Sequence, residues 1–160
     1  MWFFMITCYG MSLITFVMLL IALLQSYFSF NVFQANHLTF IILTSIVYLF
    51  TETLIIFFFV GTGVSVKEYV YEHHLSSDYH KKSIRIKQKV YPPLLLNMFF
   101  MIILFIMVGA VDAGYVAQWT YQLFFVFCLG HFIYVKKIQN ECFRDNTENI
   151  LAMSGVKQTT

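Results

Sequence analysis

Four long apolar runs decide most of what this chain can fold into. The first extends from about Trp2 to Phe28 and the second from about Leu38 to Thr62. The third, 94–111, starts after Tyr91-Pro92-Pro93, and the fourth goes from about Trp119 to Val135. Each is close to the ~18–20 residues that carry a helix through the hydrocarbon of a bilayer. There, every backbone N–H and C=O must find its partner inside the segment, and a helix meets that demand. Hydrophobic residue types make up 59% of the chain and charged types 11%, too little polar surface to cover a water-soluble domain of 160 residues. The first run lacks a basic n-region and an A-x-A-like cleavage site, so it reads as a retained helix rather than a signal peptide. The expected fold is all-α: an integral membrane four-helix bundle over residues 1–137. Its connections include a long inner loop, 63–93, that starts as a continuation of the second helix. A polar tail, 138–160, is expected to begin as helix and fray.

The cations set the orientation. Lys67, Lys81, Lys82, Arg85, Lys87 and Lys89 lie between the second and third runs, and Lys136, Lys137, Arg144 and Lys157 follow the fourth. The connections at 31–37 and 112–118 hold no Lys or Arg. With four spans, the inner loop and the tail share one side, and the positive-inside rule makes that side cytoplasmic, or the matrix in a mitochondrion. Both termini then face inside. A bacterial inner membrane is the first expectation and a mitochondrial inner membrane the second. The basic stretch 80–91 suits anionic headgroups; it is too short a patch, held at a membrane, for a nucleic-acid partner.

Chemistry-bearing motifs are sparse. Cys8, Cys128 and Cys142 form no CxxC pair. Gly61-Thr62-Gly63 lacks the spacing and the GK[ST] of a phosphate-binding loop, and its expected use is tight packing or a change of chain direction. The stretch EHHLSSDYH (72–80) matches no recognised zinc pattern, so no metal site is expected. His37 and His131 fall near opposite ends of their helices and so do not form a depth-matched pair for a haem within one chain. No cofactor is expected.

The residue that most needs explaining is Glu52, the first formally charged side chain in the chain. Counting along the second run places it near mid-height, where an acidic group costs roughly 2.5–3.5 kcal/mol to insert. Desolvation there favours a protonated carboxyl with a hydrogen bond to donate. At about 100° per residue, Thr44, Ser45, Tyr48, Thr51 and Glu52 share an arc of about 120°. This polar seam is expected to face protein rather than lipid. On the first helix Thr7, Cys8, Gly10, Thr15, Ala22, Gln25 and Ser26 form a broad face, and Gly109/Ala113 and Ala110/Gly114 make small-xxx-small pairs on the third. His131 on the fourth helix is expected to meet Asn97 on the third, at a compatible depth.

These features favour a small non-catalytic membrane subunit, packed against other subunits or itself within a larger complex such as an energy-transducing one. A different class also fits: a proton-coupled transporter acting as a homo-oligomer, with Glu52 as the proton site. A weaker third reading is a redox subunit touching quinone or haem near His131.

Overall fold

The computed structural model describes residues 2–155 apart from 29 and 33. Among the described residues there are four helices and no strand: α1 (Trp2–Phe28), α2 (His37–Glu72), α3 (Asp78–Asp112) and α4 (Gln118–Met153). Helices α1, α2 and α3 are long and apolar enough to cross a membrane. Helix α4 does not meet that condition; Gln118, Gln122 and His131 dilute its apolar half.

Each helix packs on its neighbours in sequence, and α1 closes the ring against α4. The pattern that drives this is a heptad. On α4 the buried side chains Tyr121, Phe125, Cys128, Phe132, Val135, Gln139, Cys142, Asn146 and Asn149 alternate at steps of four and three residues. A mean spacing of ~3.5 residues keeps one seam facing its partners in a left-handed bundle.

Short turns join the helices. Asn36 caps α2 by accepting from the Thr39 N–H at 2.9 Å. Between α3 and α4, Gly114 takes φ +78° and Tyr115 N–H closes back onto Ala110 O at 2.9 Å, the glycine-dependent stop of a helix C-terminus.

The length of the helices changes the expected layout of the inner loop. Helices α2, α3 and α4 have 36, 35 and 36 residues. At ~1.5 Å per residue each is about 53 Å long, some 20 Å more than a ~30 Å hydrocarbon layer. The stretch 63–93 is therefore not a loop but two helical arms joined at 73–77. The tail is likewise helical through Met153; residues 156–160 of it lie outside the described residues.

Helix α3 also runs through Pro92 and Pro93 instead of starting after them. The two prolines cannot donate to the carbonyls of Gln88 and Lys89, a cost of about 3 kcal/mol or more for a helix interior. Burial on both sides of the break outweighs it. Ser83, Ile86 and Val90 before the prolines, and Leu94 and Asn97 after them, lie in one continuous buried seam.

Helix α1 is shorter. Its first turns lie beside Phe58 and Phe143: Phe4 stacks on Phe58 at 5.9 Å between centroids, and Tyr9 meets Phe143 at 5.2 Å. Beyond that level α2, α3 and α4 continue as a three-helix stalk. Lys89–Glu141 at 3.0 Å and Asn149 Nδ2 to Tyr79 O at 3.0 Å tie α3 to α4 there.

The small residues are used differently from expectation. A Cβ added at Gly10, Gly61 or Gly109 would meet nothing within 4 Å. These positions mediate no close helix approach. Gly63 does: a Cβ there would collide with the end of the Lys87 side chain, which lies across α2 at that point.

Candidate functional site

Glu52 is fully buried, and its partners come from its own chain. Lys136 Nζ lies 2.9 Å from Glu52 Oε1, with 19% of the lysine side chain exposed and none of the glutamate. Gln139 Nε2 donates to Glu52 Oε2 at 2.7 Å, and its Oε1 accepts from Lys136 Nζ at 2.8 Å. Lys136 Nζ also donates to Ser12 Oγ at 3.1 Å. Its ammonium also lies 4.8 Å from the centroid of the Phe132 ring. Both carboxyl oxygens are thus approached by donors. The carboxyl accepts at Oε2 from Gln139 and is paired at Oε1 with the Lys136 ammonium, in a network across α1, α2 and α4.

Helical spacing builds this arrangement. Lys136 and Gln139 are i, i+3 on α4, so both reach one face. Because Lys136 closes the fourth apolar run, the pair sets Glu52 level with the charged end of that run.

The seam residues separate into two groups. Thr44 Oγ1 donates to Phe40 O at 2.8 Å and Ser45 Oγ to Ile41 O at 2.7 Å, so both hydroxyls are satisfied by their own helix. Thr51 instead faces Thr15 of α1, with 2.8 Å between the hydroxyl oxygens. One of these hydroxyls donates to the other, which in turn donates to a carbonyl of its own helix, Met11 O or Val47 O. Tyr48 is buried and packs its ring on Phe132 at 5.6 Å. The seam is therefore not a continuous polar path: Glu52 and Thr51 bridge helices, while Thr44 and Ser45 do not.

His131 Nδ1 lies 3.0 Å from Asn97 Oδ1, joining α4 to α3, and Phe100 meets the imidazole edge-on at 5.0 Å. The amide oxygen accepts, so the proton of this bond sits on Nδ1. Asn97 Nδ2 is buried without a partner. His37 Nε2 pairs with Tyr121 OH at 2.9 Å at the opposite end of the bundle. There Gln118 and Gln122 both donate to Ser26 O at 2.8 Å, closing the C-terminus of α1. Among the described residues no group of three or more His, Cys, Asp or Glu side chains converges as a metal site would require.

Lys136 and Gln139 are the residues that sequence reasoning missed. Lys136 was absorbed into the orientation signal, and Gln139 into a tail assumed to fray. The 4-3 spacing that continues from Tyr121 through Val135 to Gln139, Cys142 and Asn146 was the available clue.

The fold and this site define an all-α bundle with membrane-length apolar helices and an internal buried ion pair. Compared with known proteins, the chain matches no family model, no curated protein and no solved structure.

Proposed function

We propose that the protein is a small non-catalytic integral membrane subunit. It crosses the bilayer four times, with both termini and the stalk on the cytoplasmic or matrix side. Its stalk meets other membrane subunits of a larger complex. The observation that carries this reading is how the molecule distributes its polar groups. The buried charges are spent inside the chain, locking α1, α2 and α4 together, whereas the helix length beyond the bilayer forms an open stalk. Where α1 ends, a groove between α2 and α4 opens beside Phe4, about 510 Å³ in volume and lined further by Phe57, Gly61, Ser65 and Met153 among others. The clustering of cations at this end supports the orientation.

Gentle solubilisation at native expression, followed by mass measurement of the particle, tests the proposal. A heavier particle of fixed composition is expected, and a lone monomer overturns it. Labelling of Lys82→Cys, Gly155→Cys and Tyr115→Cys with a membrane-impermeant thiol reagent tests the placement. The first two are expected on one side and the third on the other; the native cysteines are buried.

One observation favours a second reading, proton-coupled transport: the Glu52–Lys136 pair adjoins an open groove between α1 and α4. In proteoliposomes Glu52→Gln, which keeps the side-chain volume and the oxygen that accepts from Gln139, would then abolish pH-driven flux in the protein that still assembles. Unchanged flux would remove the carboxyl from any transport role.

A further inference from the structure

The groove between α1 and α4, about 330 Å³ in volume, brings an apolar wall and a hydrogen-bonding floor together. Leu13 and Ile133, 65% and 53% exposed, stand on its two sides, with Phe132 behind them. These side chains face outward, where the proposed four-span placement puts acyl chains. At the foot of the wall are Lys136, Ser12, Asn140 and Tyr9.

The floor offers donors. Ser12 accepts from Lys136, which leaves its own O–H free to point into the groove. Asn140 uses its Oδ1 to accept from Tyr9 OH, which leaves its NH₂ free. Lys136 is partly exposed here, and its contact to Ser12 is the longest of its three. No carboxylate lines the groove itself. Glu52 lies behind the ammonium, which screens it from anything bound in front. Lys136 also ends the apolar run of α4, so the floor lies at the depth where inner-leaflet phosphates meet hydrocarbon.

We infer that this groove binds one anionic phospholipid of the inner leaflet, its phosphate accepting from Ser12 and Asn140 beside the positive charge of Lys136 and one acyl chain lying along Leu13, Phe132 and Ile133. The inference rests on the four-span placement proposed above. A lipid in this position fills the loosest pairing between neighbouring helices of the ring and shares the lysine's charge with Glu52. A zwitterionic headgroup meets the same donors but brings its own cation towards Lys136, which sets the preference for a net negative head.

The test is native mass spectrometry of the full chain in mild detergent, supplemented with phosphatidylglycerol or phosphatidylcholine carrying identical acyl chains. One phosphatidylglycerol per chain is expected, retained about tenfold better than phosphatidylcholine. Leu13→Trp fills the groove without touching the ion pair and is expected to lose the adduct by a similar factor. Ile133→Trp does the same from the opposite wall if the first variant fails to fold, with helical circular dichroism and a single monodisperse species as the check. Lys82→Glu/Arg85→Glu, on the stalk, is expected to leave the adduct in place. Equal retention of the two lipids, an adduct that survives the tryptophan variants, or one lost with the stalk charges overturns the inference. A chain that stays soluble without detergent or bilayer would instead defeat the placement on which it rests.

Discussion

In the half of the bundle that carries the N-terminus of α2 and the turn at 113–117, four helices close around Ile41, Leu104, Tyr121 and Phe125. In the other half, α2, α3 and α4 close around Phe59, Val90, Cys142 and Phe143, and α1 contributes its first turns before it ends. The same heptad seam of α4 serves both. Up to Val135 it is aromatic and aliphatic apart from Cys128; beyond, it includes Gln139, Asn146 and Asn149, all buried. The Glu52–Lys136–Gln139 network lies where one core gives way to the other, between Tyr48 and Phe132 on one side and Ile55 and Val135 on the other. The difference teaches that the helices were not cut to fit a bilayer. On the placement proposed above, one continuous packing pattern passes through two environments, with the charged clamp near the change. Where lipid surrounds the bundle, apolar contact does not by itself favour helix over lipid, so a polar bridge holds the helices together. In the stalk, which the proposed placement puts outside the hydrocarbon, apolar burial itself drives packing, and three amides lie inside.

The comparison is broken most severely by shortening the chain. Ending it after Lys137 removes Gln139 from the clamp and uncovers Ile86, Val90 and Phe59. Loss of monodisperse protein on size-exclusion chromatography is expected; a well-folded truncated chain would show that the stalk portion of α4 is dispensable, as a fraying tail would be.

A smaller effect is expected at the junction. Glu52→Ala leaves a buried ammonium without its counter-ion, a loss of about 3–5 kcal/mol. Thermal unfolding in detergent should record it as a marked drop in midpoint. The pair Glu52→Leu/Lys136→Met removes both charges and is expected to recover most of that loss, since an apolar replacement of a buried ion pair is often neutral or better. A double variant as unstable as the single one would mean that the glutamate is held by something other than Lys136.

In the stalk, Asn146 is buried with its Nδ2 unpartnered. Asn146→Leu removes that unmet donor and should raise stability by about 1–2 kcal/mol, read as a higher unfolding midpoint. A fall would show that the amide has a partner in the assembled protein.

The smallest effect belongs to Lys89 and Glu141. Their hydrogen bond lowers the pKa of the Glu141 carboxyl and raises that of the Lys89 ammonium. The contribution is present between the ordinary carboxylate and lysine ranges. It fades as pH falls through the lowered value of Glu141 or rises through the raised value of Lys89. Both groups are exposed, so Glu141→Gln is expected to shift the unfolding midpoint barely at all, and less in high salt.

Much of the fold was legible in the residues. Run length and the absence of charge before Glu52 announced helices, and the placement of Asn97 and His131 along their helices anticipated the contact between them. The seam on α2 was legible as a face but not as a set of bonds. Whether Thr44 and Ser45 turn to their own carbonyls or to a neighbour depends on the distance to the next helix, which periodicity does not contain. The stalk was hidden by two local signals, Pro92-Pro93 and the polar character of 138–153. Both argue for breaks when read alone, and both are overruled by burial against helices distant in sequence.

Composition and pattern by themselves determined that this chain is helical, that its apolar segments are of membrane length, and that its cations gather at one end. These follow from backbone hydrogen bonding and side-chain hydropathy, which act locally. Tertiary structure alone decided that Lys136, 84 positions away in the numbering, is the counter-charge of Glu52. An ion pair forms where two side chains meet in space, and the register between α2 and α4 that brings them together is set by packing along the whole length of the bundle.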